Sequence, residues 1–435
     1  MSPPGSSFAC IRHLRRATSR TGNIGTETEG RPGHQKADER AARGKTLTGG
    51  GVRHGRQHRA PDGCDRAGAQ MSWLGLWHKE AQYFDAAGLT PSVERSCLLL
   101  READALLPRG ALVLEVSLPE LRKPEPLVLF ERGGDWPLRF QLSAVPGGGI
   151  NLVLEQYGAV FHQTLNPTKR GRADQVRLTY NWDAPAFEGQ LALEWLDGDR
   201  AEIADIHAPR PWRLADLEAL IEGGPHCFIA SGVEYIALSD QPEPVGPMPG
   251  LSPFTPVETE TGARPIKDLR RGDLLRCASG DLVPVLHKIE REVPAVGSFC
   301  PVQLRAPYFG LTQDITVAPF QRMVLTGSEV EYLFGCEAVL APAEMLAATR
   351  TARRVLPAGP ITTYAQVILP GHEVPVVAGL GVESLFLGRI RRDRSALGAS
   401  LFAGLDRNSL PEHAQPRYPV VRAFDAAILA EHRTA

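Results

Sequence analysis

From about residue 110, apolar and polar positions alternate along this chain. Leu112, Val113, Leu114 and Val116 open a run that ends at Leu118. Phe140 and Leu142 alternate up to a Pro146-Gly147-Gly148-Gly149 turn, and Ile150, Leu152 and Leu154 alternate beyond it. Val176, Leu178, Tyr180 and Trp182 face one way while Gln175, Arg177, Thr179 and Asn181 face the other; Leu191, Leu193 and Trp195 alternate with Gln190, Ala192 and Glu194. A period of two puts each set on its own face of a strand, so every run predicts a half-buried antiparallel strand. Asp197-Gly198 supplies a positive-φ turn into a strand over 201–206. Short strands parted by Gly and Pro turns predict a β-sandwich. The period then lengthens. Leu214, Leu217, Leu220 and Ile221, between Pro211 and Gly223-Gly224, predict a short helix closing the domain. A compact strand pair is expected at 226–229 and 234–238.

Outside this pattern lie two contrasting segments. Residues 1–70 hold 13 Lys and Arg against 6 Asp and Glu, with few large apolar residues. Such a segment cannot bury enough surface to offset its ordering entropy. It reads as a disordered basic arm or as upstream sequence ahead of a true start at Met71; its acidic residues argue against a targeting peptide. Residues 241–252 run Gln-Pro-Glu-Pro-Val-Gly-Pro-Met-Pro-Gly-Leu-Ser and predict an extended, exposed linker. The expected domains are therefore a sandwich over 71–240, a second all-β module over 253–390 and a tail over 391–435. In that tail, 423–432 has the pattern of one short amphipathic helix.

Composition excludes several classes of function. A formal net charge of −2 gives no basis for nucleic-acid binding. No stretch is long and apolar enough to span a membrane. The basic N-terminus has no apolar core of a secretory signal, which implies a cytoplasmic protein unless it leaves the cell by a signal-independent route. Seven scattered cysteines form no CxxC pair and fit reduced, buried thiols better than disulfides or a zinc site. No small-molecule cofactor is implied.

The second module carries the candidate chemistry. It opens Pro253-Phe254-Thr255-Pro256 and continues through Gly262-Ala263-Arg264-Pro265-Ile266 to Arg271-Gly272-Asp273, a turn expected to close the first hairpin. Val317-Ala318-Pro319-Phe320-Gln321-Arg322-Met323-Val324-Leu325 follows, then Gly371-His372-Glu373-Val374 and Glu383-Ser384-Leu385. In this order the blocks resemble the bacterial branch of the Hedgehog/intein (Hint) family, whose members cut or splice their own backbone. The resemblance implies an all-β, horseshoe-like fold. It also implies a Cys or Ser that attacks the preceding carbonyl, helped by a Thr-x-x-His block and a later His. The branch commonly opens Cys-Phe-Thr-Pro and continues Gly-Thr-x-Ile-x-Thr; here Pro253 stands at the nucleophile, and the stretch from 257 to 261 is short. Ala318 and Gln321 stand at the positions of the hydroxyl residue and the histidine. Gln321 can hydrogen-bond but cannot shuttle a proton near neutral pH. The remaining candidates for catalysis are Ser252, one residue early, and His372.

A second, shorter resemblance, from Val176 to Gly198, is to laminin-G/concanavalin-like sandwiches. It implies sugar binding, sometimes with calcium. Asp183, Asp197 and Asp199 carry suitable oxygens, although turn residues are the simpler reading. Trp182 and Trp195 belong to apolar faces, where core packing is expected. Three functions remain open. One is a Hint-domain protein without self-cleavage, acting as a scaffold or binding a protein or glycan. Another is active autoprocessing near Ser252-Pro253, an intramolecular proteolysis. The third is carbohydrate binding through the sandwich.

Overall fold

A computed structural model describes residues 73–90, 105–118, 121–166, 175–196, 200–347, 350–422, 425–426 and 428–429. The expectations for residues 1–70 and for Asp197 and Asp199 lie outside these residues. The fold is mainly β, and among the described residues its named strands pair antiparallel, with one isolated parallel bridge between Leu340 and Val420.

The N-terminal half is two facing sheets. The first has seven strands in the order Arg200–His207, Glu188–Trp195, Gln175–Asp183, Arg109–Ser117, Val233–Ser239, Trp73–His78, Ala81–Phe84. The second has five, in the order Cys227–Ile229, Glu125–Arg132, Leu138–Val145, Gly149–Gln156, Ala159–Leu165. The apolar sets read from the alternation meet between them: Leu112, Leu114, Leu178, Tyr180, Trp182 and Leu193 from the first sheet, Phe130, Phe140, Leu142, Leu152 and Leu154 from the second. The period-two pattern thus became a core because every second residue of both sheets faces the same gap. Trp182 donates its indole N–H to Leu107 O at 3.1 Å. It needs Gly110 opposite: a Cβ there would stand 2.5 Å from the Trp182 ring and 2.7 Å from Ser239 O. The helix Leu214–Glu222 lays Leu217, Leu220 and Ile221 against this core.

Three expectations change. The strands Cys227–Ile229 and Val233–Ser239 do not pair with each other; they lie in different sheets, the first beside Glu125–Arg132 and the second between Arg109–Ser117 and Trp73–His78. The strand Gln175–Asp183 is buried on both faces, for Arg177, Thr179 and Asn181 are also covered. Alternation tells which residues share a face, and here the polar face is capped by the C-terminal half. The segment 241–250 is extended, and of its residues Pro242 alone is exposed. Glu243 and Val245 are buried, Glu243 N–H donates to Asn181 Oδ1 at 2.9 Å, and Val245 N–H donates to Ala399 O at 2.8 Å.

The C-terminal half is a set of small sheets around a second core that includes Leu251, Val257, Ile266, Leu275, Val302, Val317, Met323, Val367 and Val377. Pro256–Thr259 pairs with Gly262–Pro265, Leu274–Arg276 and Val376–Val377. His287–Pro294 pairs with Ile361–Ile368 over eight residues. Val302–Leu304 lies between Ile315–Val317 and Ala352–Arg354, and Arg322–Thr326 pairs with Ala338–Pro342. The first hairpin closes through Glu260-Thr261, not at Arg271-Gly272-Asp273. That later turn, with Gly272 at φ 92°, leads into Leu274–Arg276. The tail folds back: Phe402 and Leu410 pack with Ile368, Leu385 and Leu387, and Val421 N–H donates to Leu340 O at 2.9 Å.

Candidate functional site

Leu251 stitches the start of the second half into its core. It exchanges main-chain hydrogen bonds with Ala365, at 3.1 and 2.7 Å, while Ser252 N–H donates to Thr316 O at 3.0 Å and Ala318 N–H donates to Gly250 O at 2.7 Å. The segment 250–252 therefore lies between the strand ends Ile315–Val317 and Ile361–Ile368. Gln321 enters through a tight turn in which its N–H donates to Ala318 O at 3.0 Å. Its side chain is buried against Gly250; a Cβ on Gly250 would stand 2.5 Å from Gln321 Oε1 and 3.0 Å from Gln321 Cβ.

The Gln321 amide is held on all sides. Nε2 donates to Arg322 O and to Glu383 O, both at 3.1 Å, and Oε1 accepts from Gln366 Nε2 at 2.9 Å. Gln366 Nε2 also donates to Glu383 O at 3.0 Å. Two carbonyl acceptors require the NH₂ of Gln321 on their side, which fixes the amide orientation. A neutral, saturated amide of this kind positions chain segments and has no proton to give or take at neutral pH.

His372 reaches the same cluster through the Glu383 carboxylate. His372 Nδ1 accepts from Arg417 N–H at 2.8 Å, so the ring proton sits on Nε2. Nε2 lies 3.1 Å from Glu383 Oε1, an electrostatic contact without good hydrogen-bond alignment, and Arg322 Nη1 approaches the same oxygen at 3.2 Å. Beneath His372 lie Phe386, at 4.9 Å between ring centroids, and His413, at 5.6 Å. His413 is likewise occupied: Nδ1 accepts from Leu387 N–H at 3.1 Å and Nε2 donates to Leu369 O at 3.2 Å. Burial holds its pKa below the usual histidine value.

The expected site residues thus separate into two groups. Gln321 and His372 share Glu383, and Ala318 meets Gly250 through its main chain. Pro253 belongs elsewhere: its carbonyl accepts from Lys267 N–H at 3.0 Å. Ser252 is half-buried and uses both main-chain groups, its carbonyl accepting from Thr255 N–H at 2.9 Å. Among the described residues no base hydrogen-bonds its hydroxyl. Gly250, Gln366 and His413 were not foreseen as site residues. A buried glycine and a buried glutamine carry no pattern of their own, and His413 arrives from the tail. In the sandwich, Asp183 is engaged by Arg109 at 3.0 Å and accepts from Ala186 N–H at 3.1 Å. Among the described residues no cluster of His, Cys, Asp and Glu suits a metal, and no helix is long and apolar enough to cross a membrane.

Residues 249–389 match the family model described as the Hint domain. This stretch of the chain is a Hint domain, and the region belongs to that family. Among solved structures, the chain is similar to the MchDnaB-1 intein (N145AA form), with 17% identity over 31% of this chain and 98% of that one and a TM-score of 0.22. It is similar to the gp41-1 intein, with 11% identity over 31% and 98% and a TM-score of 0.21. It is also similar to the CBM40 of the Ruminococcus gnavus IT-sialidase, with 17% identity over 30% of this chain and 64% of that one and a TM-score of 0.21. No curated protein matches the chain.

Proposed function

We propose that this is a Hint-domain protein that does not cut itself, and that its Hint domain serves as a rigid scaffold bound to the sandwich. The carrying observation is the contact between Gln321 and Gly250. Gln321 stands where the family has its histidine, so the residue it faces marks the nucleophile position. Read without a gap from there, Gly250-Leu251-Ser252-Pro253-Phe254-Thr255-Pro256-Val257-Glu258-Thr259 lies against the family's Cys-Phe-Thr-Pro-Gly-Thr-x-Ile-x-Thr. Pro253, Thr255 and Thr259 then match, and Leu251, Ser252 and Val257 are close substitutes. This register needs no shortened first strand, and the family match, which starts at residue 249, is consistent with it.

In this register the nucleophile is replaced by hydrogen. Nucleophilic catalysis needs a side-chain lone pair beside the scissile carbonyl, and glycine supplies none. The general acid is replaced by a neutral amide, a loss worth about 10²–10⁴-fold in rate by itself. His372 and His413 hold their ring nitrogens against main-chain groups and Glu383, which supports a structural role.

The test is intact-mass measurement of the purified chain, expressed from Met1 and separately from Met71, with and without thiol or hydroxylamine. A single uncut mass is expected in each case. Fragments meeting at 249/250 or at 251/252 would overturn the reading, and the second pair would establish autoprocessing at Ser252.

A further inference from the structure

We propose that the C-terminal segment carries a site for a small phosphate monoester, in the hollow lined by Arg391, Arg407, Asn408 and Glu412. The site lies beyond residues 249–389, the stretch matched to the Hint family, and stands whether or not that domain cuts. The hollow has a volume of about 260 Å³, and all four residues that line it are polar. Two short 3₁₀ turns form it, Ile390–Arg392 and Arg407–Ser409. Arg407 ties them together, its Nε donating to Arg391 O at 2.5 Å.

The donors of this hollow are only partly spent. Arg391 Nε donates to Glu412 Oε1 at 2.6 Å and Nη1 donates to Leu410 O at 3.0 Å, which leaves its Nη2 amino group for a ligand. Arg392 grips the same carboxylate from the other side, Nε to Oε1 at 2.9 Å and Nη2 to Oε2 at 2.5 Å. Glu412 thus answers two guanidiniums, and among the described residues no carboxylate answers Arg407. Both terminal amino groups of Arg407 are open, since its one hydrogen bond uses Nε. The Asn408 side-chain amide has no hydrogen-bond partner among the described residues; only its main-chain N–H is engaged, with Asp406 Oδ1 at 3.0 Å.

Charge decides what the hollow takes. The bonds from Arg392 and Arg391 hold the Glu412 carboxyl down to about 2, so it stays ionised. Arg391, Arg392 and Arg407 against Glu412 leave a surplus of two positive charges. The whole stretch 389–412 has the same surplus, with five arginines against Asp393, Asp406 and Glu412, on a chain whose formal net charge is −2. The frame is also fixed in advance. Leu410 and His413 are buried on either side of Glu412, and His413 N–H donates to Gly388 O at 3.0 Å. Groups already held in place lower the ordering cost of binding.

A guanidinium fork pairs with a tetrahedral oxyanion through parallel N–H donors. A carboxylate would balance only one of the two charges, whereas a phosphate monoester carries about −1.5 to −2 at pH 7. The hollow is smaller than the roughly 300–1,000 Å³ of pockets for drug-sized ligands, which suits a short organic group beyond the phosphate. The Asn408 amide and the remaining lone pairs of Glu412 can pair with hydroxyls on that group.

The experiment titrates the whole protein, at physiological ionic strength, with glycerol 3-phosphate and with ribose 5-phosphate, followed by calorimetry. Inorganic phosphate and the monoanionic diester dimethyl phosphate are the comparison arms. At least one monoester should bind saturably and one-to-one. Binding should be about tenfold weaker in Arg407→Ala, as expected for loss of a charge-assisted fork, and about tenfold weaker for dimethyl phosphate. Arg407→Lys, which keeps the charge without the fork, should fall between Arg407→Ala and the wild type. Melting temperatures without ligand show whether each variant is folded, and Asn408→Ala, which removes no hydrogen bond, provides a second weakened variant. Arg394→Ala, outside the hollow, should bind nearly as the wild type. No binding by either monoester, or equal losses in Arg394→Ala and Arg407→Ala, would overturn the site. Equal affinity for inorganic phosphate or for dimethyl phosphate would overturn the assignment to a monoester dianion. None of these outcomes bears on the intact-mass test of self-cleavage.

Discussion

The Gln321 side chain fills the space that any side chain on Gly250 would need: Oε1 lies 2.5 Å from where a Cβ would be built. Gly250→Cys alone is therefore expected to destabilise the protein, by about 1–3 kcal/mol as for other overpacked sites, without producing cleavage. Combining it with Gln321→Ala should recover part of that loss, because the two residues compete for one space. Chemical denaturation of the two single variants and the double variant checks the coupling. Additive losses would mean that the contact is not what excludes the side chain.

Arg177 joins the two halves. It contacts Glu115 Oε1 at 2.9 Å and Glu194 Oε2 at 3.6 Å, hydrogen-bonds Ser298 and stacks on Phe299 at 4.1 Å from the ring centroid. Glu115 also accepts from Ser298 N–H at 2.8 Å and from Tyr235 Oη at 3.2 Å. Arg177→Met leaves two buried carboxylates facing each other, and a loss of about 3–5 kcal/mol is expected. Calorimetry should show a lowered transition, and the double change Arg177→Met with Glu115→Gln should be milder than Arg177→Met alone.

His413 ties stability to pH. Its folded pKa is depressed by burial, so the folded state prefers the neutral ring while the unfolded chain takes up a proton near the ordinary histidine value of about 6.5. Its contribution is present above that value and is lost as pH falls through the folded pKa. Denaturation midpoints should thus decline from pH 7 toward pH 5. His287, also depressed by burial, acts in the same direction. His413→Asn should flatten part of the slope; an unchanged slope would remove His413 as its source.

Cys277 is buried in the Hint core and its thiol is pushed up to about 12; Cys227, half-buried under the sandwich, is pushed up to about 11. Neither forms appreciable thiolate at pH 8, so both should resist a thiol reagent in the native protein and react once it is unfolded. Peptide mapping after brief native labelling checks each site. Fast labelling of Cys277 would mean that the core around Leu275 opens readily.

The strands and the sandwich core were legible because alternation records which residues share a face. Leu178, Tyr180 and Trp182 sit where that pattern put them. It could not say what covers the other face. Arg177, Thr179 and Asn181 read as solvent-facing and are buried, because the second half supplies Ser298 and Phe299 and the strap ahead of it supplies the Glu243 main chain as partners. The same blindness made a Pro-rich strap look like a free linker. At the candidate site, Phe254-Thr255-Pro256 offered a local match to the family's opening, and it took the contact made by Gln321 to favour starting at Gly250. His413 had no legible role, since nothing local links a tail histidine to Glu383 and His372.

The buried latch between Glu115, Arg177 and Ser298, together with the strap that runs from Glu243 to Gly250, bears on what a cut could accomplish here. A peptide bond broken at residue 250 would leave both pieces gripping each other across a buried, charged seam. Size-exclusion or native electrophoresis would then record an undivided molecule. In this architecture scission and release are separate events, and a search for processing must first denature the protein to see it.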